Sequence, residues 1–461
     1  MADVKFKISS GLKSIIGRDL ITNDFVAIFE LVKNSFDAKA THVKVGFDLD
    51  VKETAAIYIV DNGKGMSASD VENKWLFVAY SAKKDGEEDR GERRIYAGSK
   101  GVGRFSCDRL GRKLFLQSKA RGENAVNAIR VDWDAFEKKP KKEFGSVAID
   151  YKTAPAFVSV SGLWPSSEKN GTILQITELR EFESWTREKL LKLKRSLQKL
   201  LDPFDGSVSG RKLELVCTRE AKADRKADRP EKRINGVISN NIFSRFFATS
   251  TVIQSELKDD EIVTTLTARG VQIFRIAEDV KTKLPELASC SVKCDIGYLN
   301  KATKASFSRT MGIDAIQYGS VFLVHNGFRV YPVGEEMDDF WGLNRRKQQG
   351  YSRYIGTREV LGCVRVEDPN IVFQEASNRE GLVNSPAVEM LRDFVIFAVR
   401  RLEAYLNRVT WKDPDDKENL DPESLDKDET RSRIIRLVRD MAVSRRIRIL
   451  DYNRDLITIL H

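Results

Sequence analysis

Residues 24–38 combine two faces that are hard to satisfy together, and this constrains the fold more than any other stretch of the 461-residue chain. Phe25, Ile28, Phe29 and Val32 recur at helical spacing and form the apolar stripe of a packed helix. Glu30, Asn34 and Asp37 recur at i, i+4 and i+7, so a carboxylate, an amide and a second carboxylate share one ridge of that helix. A solvated surface face carries polar residues in the same way. What sets this ridge apart is the sequence that follows it.

Residues 4–8 have the pattern of a short opening strand. Residues 43–49 and 56–60 alternate or run apolar like two more, the last ending at the turn Asp61-Asn62-Gly63. Ser67 and Asp70 have the spacing of an N-cap and an acidic capping box, which predicts a helix over 67–77. Residues 79–100 are densely charged and poor in large apolar side chains, as expected of a mobile loop. The run Gly98-Ser99-Lys100-Gly101-Val102-Gly103-Arg104-Phe105 then opens a helix that stops at Gly111. Strand-like segments follow at 113–117, 128–131, 147–151 and 172–176. A basic amphipathic helix over 185–201 ends at Asp202-Pro203. The pattern predicts an α+β layer, a helix covered by a largely antiparallel sheet, with a first domain over 1–203.

From 204 to 408 the chain mixes strands (213–217, 271–276, 320–324, 360–366) with a closing helix over 387–406, which predicts a second α+β domain. Residues 412–429 hold nine acids, three lysines and two prolines, the composition of a solvated linker, assigned to 409–430. Residues 431–454 carry eight arginines and two aspartates on a helical pattern, with Ile434, Leu437, Val438 and Met441 on one stripe. A basic helical segment over 431–461 is expected. It either contacts a partner or nucleic acid, or docks with its basic face exposed. The abrupt ending at Ile457-Thr-Ile-Leu-His461 fits a truncated chain.

Lys and Arg total 78 against 68 Asp and Glu, and the excess of +10 permits nucleic acid or another polyanion as a partner without requiring one. The five cysteines are scattered, and Cys290 and Cys294 lack the companions of a zinc site. Reduced structural thiols and a cytoplasmic location are the expectation. No apolar run reaches membrane-spanning length, so no membrane association is expected.

The motifs carry more specific chemistry. Gly98, Gly101 and Gly103 let backbone approach an anion, and Lys100 adds a positive charge. Asp61, at the end of an apolar strand before Gly63 and Gly65, needs a donor if buried. Asn34 supplies an amide oxygen suited to Mg²⁺, which takes few protein ligands besides phosphates and water. Glu30, one turn earlier, can polarise a water attacking a terminal phosphate.

In order, Glu30-Leu-Val-Lys-Asn34-Ser-Phe-Asp37-Ala38, Asp61-Asn-Gly63-Lys-Gly65-Met66, Gly98-Ser-Lys-Gly101-Val-Gly103 and Gly171-Thr172 resemble the four boxes of the GHKL ATPases. That superfamily holds gyrase B subunits, heat-shock-ninety chaperones, histidine kinases, MutL and MORC proteins. The resemblance covers about residues 1–200 and implies a Bergerat-type sandwich that binds ATP and Mg²⁺. It makes Glu30 the general base, Asn34 the metal ligand, and Asp37 and Ala38 neighbours of the nucleotide. Asp61 would accept from the adenine amino group, Thr172 would reach the same edge through water, and Gly63, Gly65 and Met66 would shape the base pocket. Ser99 and Lys100, with Gly101, Val102, Gly103, Arg104 and Phe105, would wrap the phosphates, under an ATP lid at about 79–100. Ser81 and Lys83 would lie near phosphate.

The second domain resembles the transducer of the gyrase, MutL and chaperone branches. Phe373-Gln374-Glu375-Ala376-Ser377-Asn378-Arg379-Glu380-Gly381-Leu382 is similar to a chaperone loop whose arginine reaches the γ-phosphate, which marks Arg379 and, more weakly, Gln374. Asn326-Gly327 resembles a hairpin turn of bacterial members, with no role assigned. The resemblance implies an ATP-gated, dimerising clamp acting on DNA or beside a nuclease, as in defence against foreign DNA. A protein chaperone is the alternative, and the basic excess favours nucleic acid. A sensor kinase fits poorly, because none of His42, His325 and His461 sits in a phosphoacceptor setting. The chain also lacks room for the cleavage module of a type II topoisomerase.

Overall fold

A computed structural model describes residues 9–10, 21, 23–77, 105–137, 147, 149–158, 160, 169–200, 211–238, 242–311, 314–350, 353–376, 381–410, 428–444 and 446–453. The chain divides into two compact units, Met1–Leu201 with Asp205–Asn240, and Asp202–Phe204 with Asn241–His461. Both are mixtures of helices and one sheet. The strand expected at 4–8 lies outside the described residues.

The first unit runs α1 (Asp24–Asp37), β1 (His42–Asp48), β2 (Ala56–Asp61), α2 (Ser106–Leu110), β3 (Gly111–Lys119), β4 (Val126–Asp132), β5 (Asp150–Ala154), β6 (Gly171–Leu179), α3 (Arg187–Leu200), β7 (Lys212–Cys217) and β8 (Gly236–Val237). Its eight strands lie in the order β5-β4-β3-β6-β2-β1-β7-β8. Neighbours are antiparallel except β1 and β7, which pair in parallel with Val43 opposite Leu213. This pairing carries the first unit past 203, where the sequence places its end. A buried charge cluster supports the extension. Arg187 of α3 bonds Glu220 at 2.9 Å and Asp224 at 2.8 Å, and Asp224 accepts the Ile234 and Asn235 amides.

The Asn23 side chain starts α1 by accepting from the Phe25 and Val26 amides at 2.9 and 3.0 Å. Ile28 and Val32 are buried as their stripe predicts, but Phe25 and Phe29 are only half-covered. Val26, Ala27 and Leu31 are buried as well, so packing covers more of the helix than one stripe. Asp24 is buried too, between Arg109 of α2 (3.1 Å) and Lys189 of α3 (2.6 Å), and so ties three helices together. The capping box at Ser67 and Asp70 forms, with Asp70 Oδ2 accepting from the Ser67 amide at 3.1 Å, although a π turn over Val71–Trp75 replaces the longer helix.

The second unit runs β9 (Thr251–Lys258), β10 (Glu261–Ala268), β11 (Val271–Asp279), β12 (Ser291–Tyr298), β13 (Val321–His325), β14 (Phe328–Arg329), α4 (Leu343–Gln349), β15 (Val360–Glu367), α5 (Pro386–Tyr405), α6 (Asp428–Val443) and β16 (Ile447–Tyr452). Its sheet order is β14-β13-β15-β12-β9-β10-β11-β16. Ser385 caps α5 and Pro386 occupies the first turn, where a missing amide proton costs nothing. Val388, Leu391, Phe394, Val395, Ala398 and Leu402 of α5 are buried in the same core as Ile434, Leu437, Val438 and Met441 of α6. The stripe predicted for α6 is therefore its packing face.

The continuous helix expected from 431 onward is not what forms. After Val443 the chain turns and residues 447–452 pair antiparallel with β11, Ile449 lying opposite Ile276. Ile447 and Ile449 alternate with Arg448 and pack on the core, a strand period that the arginine density hides. The Asn326-Gly327 turn forms as expected, with φ of 51° and 82° at its two residues, and Asp368 accounts for its setting. The Asp368 amide donates to Asn326 Oδ1 at 2.8 Å, and its carboxylate accepts from the Val372 and Phe373 amides.

Asp24→Ala leaves Arg109 and Lys189 only the more exposed Glu181, at 3.6 and 3.9 Å, as a shared carboxylate, and should destabilise the first unit by about 2 kcal/mol. Urea denaturation followed through tryptophan fluorescence, with Trp185 buried in this unit, reads the change.

Candidate functional site

The site is built where the C-terminal half of α1 meets the end of β2. Asp61, the last residue of β2, is only 6% exposed. Its Oδ1 accepts from the Gly63 amide at 2.9 Å, and its Oδ2 accepts from the Ser35 hydroxyl of α1, also at 2.9 Å. Ser35 Oγ also lies 3.2 Å from the Leu31 carbonyl one turn back, which holds it in place. Burial pushes the Asp61 carboxyl up to about 6, against the opposing donations of the Gly63 amide, the Ser35 hydroxyl and the Thr172 amide.

The glycines allow the close approach. A Cβ on Gly63 would sit 2.7 Å from the Ala38 carbonyl, which accepts from the Lys64 amide at 2.7 Å. Gly65, at a φ of +67°, leaves no room for a side chain because a Cβ would lie 1.9 Å from the Lys119 carbonyl. Gly171, at a φ of +138°, would put a Cβ 2.0 Å from the Asp61 carbonyl. Its successor Thr172 lies opposite Asp61 in the β2–β6 ladder. Ser118 of β3 joins this wall, 2.9 Å from Thr172 Oγ1 and accepting from the Met66 amide at 2.9 Å. Asn127 donates to the Met66 carbonyl at 2.9 Å, and Asn170 to the Gly63 carbonyl at 2.6 Å.

On the ridge of α1, Glu30 is 7% exposed, Asp37 is half-buried and Asn34 is open to solvent. Thus Asn34, Ala38, Asp61, Gly63, Gly65, Met66 and Thr172 gather around one junction, with Glu30 and Asp37 on the same helix. Phe105 turns its ring into the core, 5.7 Å from Trp133. Ser81, Lys83, Gly98, Ser99, Lys100, Gly101, Val102, Gly103 and Arg104 lie outside the described residues, as does Arg379. Gln374 belongs to the second unit, where it is exposed and its carbonyl accepts from the Val383 amide at 2.7 Å.

Ser35, Ser118, Asn127 and Asn170 are the residues that sequence reading passes over. Ser35 lies between the marked Asn34 and Asp37, but a single serine on a helix has many uses. Ser118 and Asn127 are buried polar residues on strands, visible only once the pairing brings β2, β3, β4 and β6 together.

The donor set suits a nucleotide with its metal. The Gly63, Ser35 and Thr172 donors do not exhaust the four or so lone-pair sites of the Asp61 carboxylate, so an amino group can still be accepted. An exposed amide oxygen one turn from a buried carboxylate is the kind of hard-oxygen set that Mg²⁺ takes. Among the described residues no cluster of three or more His, Cys, Asp or Glu could hold a metal alone. Phosphate oxygens and water would complete the coordination of such an ion.

Residues 21–159 match the family model described as "Histidine kinase-, DNA gyrase B-, and HSP90-like ATPase". The match is to a GHKL-type ATPase domain, and ATP binding is the property that it supports. It spans α1 and the Asp61 turn but stops before Gly171 and Thr172. No curated protein matches the chain.

The raised Asp61 pKa gives a signed prediction. A folded carboxyl above its usual 3.8 binds a proton that the unfolded chain releases, so stability falls as pH rises from about 4 to about 6 and is level beyond. The shift corresponds to about 3 kcal/mol on the ionised form. Asp61→Asn, which mimics the neutral state, should therefore be more favourable relative to wild type at pH 7 than at pH 4. Denaturation midpoints of both proteins across that range test it.

Proposed function

We propose that the first unit binds and hydrolyses ATP with Mg²⁺, and that turnover drives closure of a dimeric clamp acting on DNA or on a DNA-processing partner. The observation that carries the reading is the buried Asp61 carboxylate beside the Glu30–Asn34 ridge. Base recognition and phosphate chemistry then fall on the two ends of one junction.

In this reading Asp61 accepts from the exocyclic amino group of adenine, and Thr172, tied to Ser118, serves the same edge through water. Gly63, Gly65 and Met66 form the wall of the base pocket. Asn34 would hold magnesium through its amide oxygen, and the ion would supply positive charge beside the phosphates. Glu30 takes a proton from the attacking water as oxygen bonds to the γ-phosphorus and the bond to the β-phosphate oxygen breaks. ADP and phosphate leave. Burial of Glu30 keeps bulk water from the attacking side. Lys100 to Arg104 and a lid over 79–100 take the phosphate-wrapping role, and Arg379 the γ-phosphate contact, on sequence grounds. Dimerisation on ATP binding follows the behaviour of the family, and the basic excess favours nucleic acid as client.

Glu30→Ala should retain ATP with affinity within a few-fold of wild type while turnover falls about 100-fold or more. Isothermal titration and phosphate release measure the two separately, and unimpaired hydrolysis would remove Glu30 from the role. Adenine nucleotide affinity should weaken as pH falls below about 6, because a proton then competes for the Asp61 acceptor. Light scattering with a non-hydrolysable ATP analogue should show the 52.3 kDa chain doubling in mass.

A further inference from the structure

The second unit contains a trough with no part in the nucleotide chemistry. One wall is a single face of α5, where Glu389, Arg392, Ile396, Arg400 and Glu403 recur at spacings of three and four. Asn407, in the turn after α5, extends this wall, which runs roughly 25 Å at 1.5 Å per residue. The other wall is α4 and the segment after it, bringing Arg345, Arg346, Gln349, Arg353 and Tyr354. The space between them is about 1050 Å³.

The acids lining it are largely spoken for. Glu403 is buried, bonds Arg346 at 2.9 Å and accepts the Ile355 amide at 3.1 Å. Glu389 pairs with Arg392 at 2.7 Å. Asp339 accepts the amides of Asn344 and Arg345 at 3.0 and 3.1 Å. That leaves Asp393 against the exposed guanidinium groups of Arg345, Arg353 and Arg400, none of which forms an ion pair within 4.0 Å among the described residues. Arg400 acts on Glu403 only at longer range. On the floor, Arg346 stacks on Tyr354 with its carbon 4.6 Å from the ring centre, and Arg392 on Phe340 at 4.5 Å. Two guanidinium groups are thus fixed, and three more stand ready.

Guanidinium groups in this number are suited to phosphate oxygens, which they grip through paired N–H donors. The length of the trough favours a chain of phosphates over a compact anion. A protein helix would need apolar anchors, and the largest apolar side chain here, Trp341, is buried with its indole N–H donated to the Val321 carbonyl at 2.7 Å. We infer that the trough between α4 and α5 binds the phosphodiester backbone of a nucleic acid strand. This rests on the reading of DNA as the client and assigns that client a surface.

The test is a titration of the full chain with a labelled single strand of about 20 nucleotides and with its duplex, across a range of salt. Arg345→Glu, Arg353→Glu and Arg400→Glu combined should weaken binding at least tenfold, with the slope of log affinity against log salt shallower by about 2 for a single strand. Arg-to-Lys replacements at the same three positions should keep the slope. Basal ATP turnover should be unchanged. Arg436→Glu with Arg439→Glu, on the exposed side of α6, should bind within twofold of wild type. Preference for single strand or duplex then identifies the source of the backbone. If wild type binds and the trough variant binds equally, or the α6 variant loses as much, the trough assignment is overturned while DNA stands as client. Failure of wild type to bind either oligonucleotide would overturn both.

Discussion

A carboxylate sealed at the end of a strand is tolerated only while donors surround it, and Asp61 sets that requirement for the whole first unit. The Gly63 amide reaches it because the chain turns at once after β2. Ser35 reaches it because α1 lies across the same strand end. The requirement fixes the depth of α1 against the sheet, and with it the positions of Glu30 and Asn34. Gly171 has to lack a side chain for β6 to lie close enough to pair Thr172 with Asp61. One desolvated acid therefore links a helix, two strands and two glycines whose roles look unrelated in the linear chain.

How much of this is legible in sequence depends on the range of the interaction. The helix at 24–37, the strand ending at Asp61 and the capping box at Ser67 are local patterns, and they form where expected. Ser118 and Asn127 are partners made by strand pairing, so no window along the chain contains their signal. The parallel strand β7 was visible as a strand, but not its neighbour. Its pairing with β1 is joined by more than 160 residues of chain, and composition says nothing about that closure.

The second unit was less legible for a related reason. Its central strands turn on Asp259-Asp260 and Arg269-Gly270, whose φ values of 50°, 64°, 51° and 80° all lie in the left-handed region. Only one of those four residues is glycine, so the usual turn signal is weak. Asn326-Gly327 carries the full signal and was readable at once. Cys290 shows the converse. Its thiol lies 3.8 Å from Asp368, near His325, and could be mistaken for a nucleophile's setting. Burial pushes that thiol up to about 11, so it stays protonated and structural.

The last described strand has a consequence for how the chain can be handled. β16 is the outermost member of the second sheet, joined to β11 after the acidic stretch and α6. It caps a row of backbone donors and acceptors that would otherwise template pairing with another molecule. A fragment trimmed back into the acidic stretch would lose both α6, which contributes Ile434 and Leu437 to the core, and that protective border. Such a fragment is prone to self-association through bare β11, and an oligomer measured on it would report damage to the sheet rather than the assembly of the intact chain.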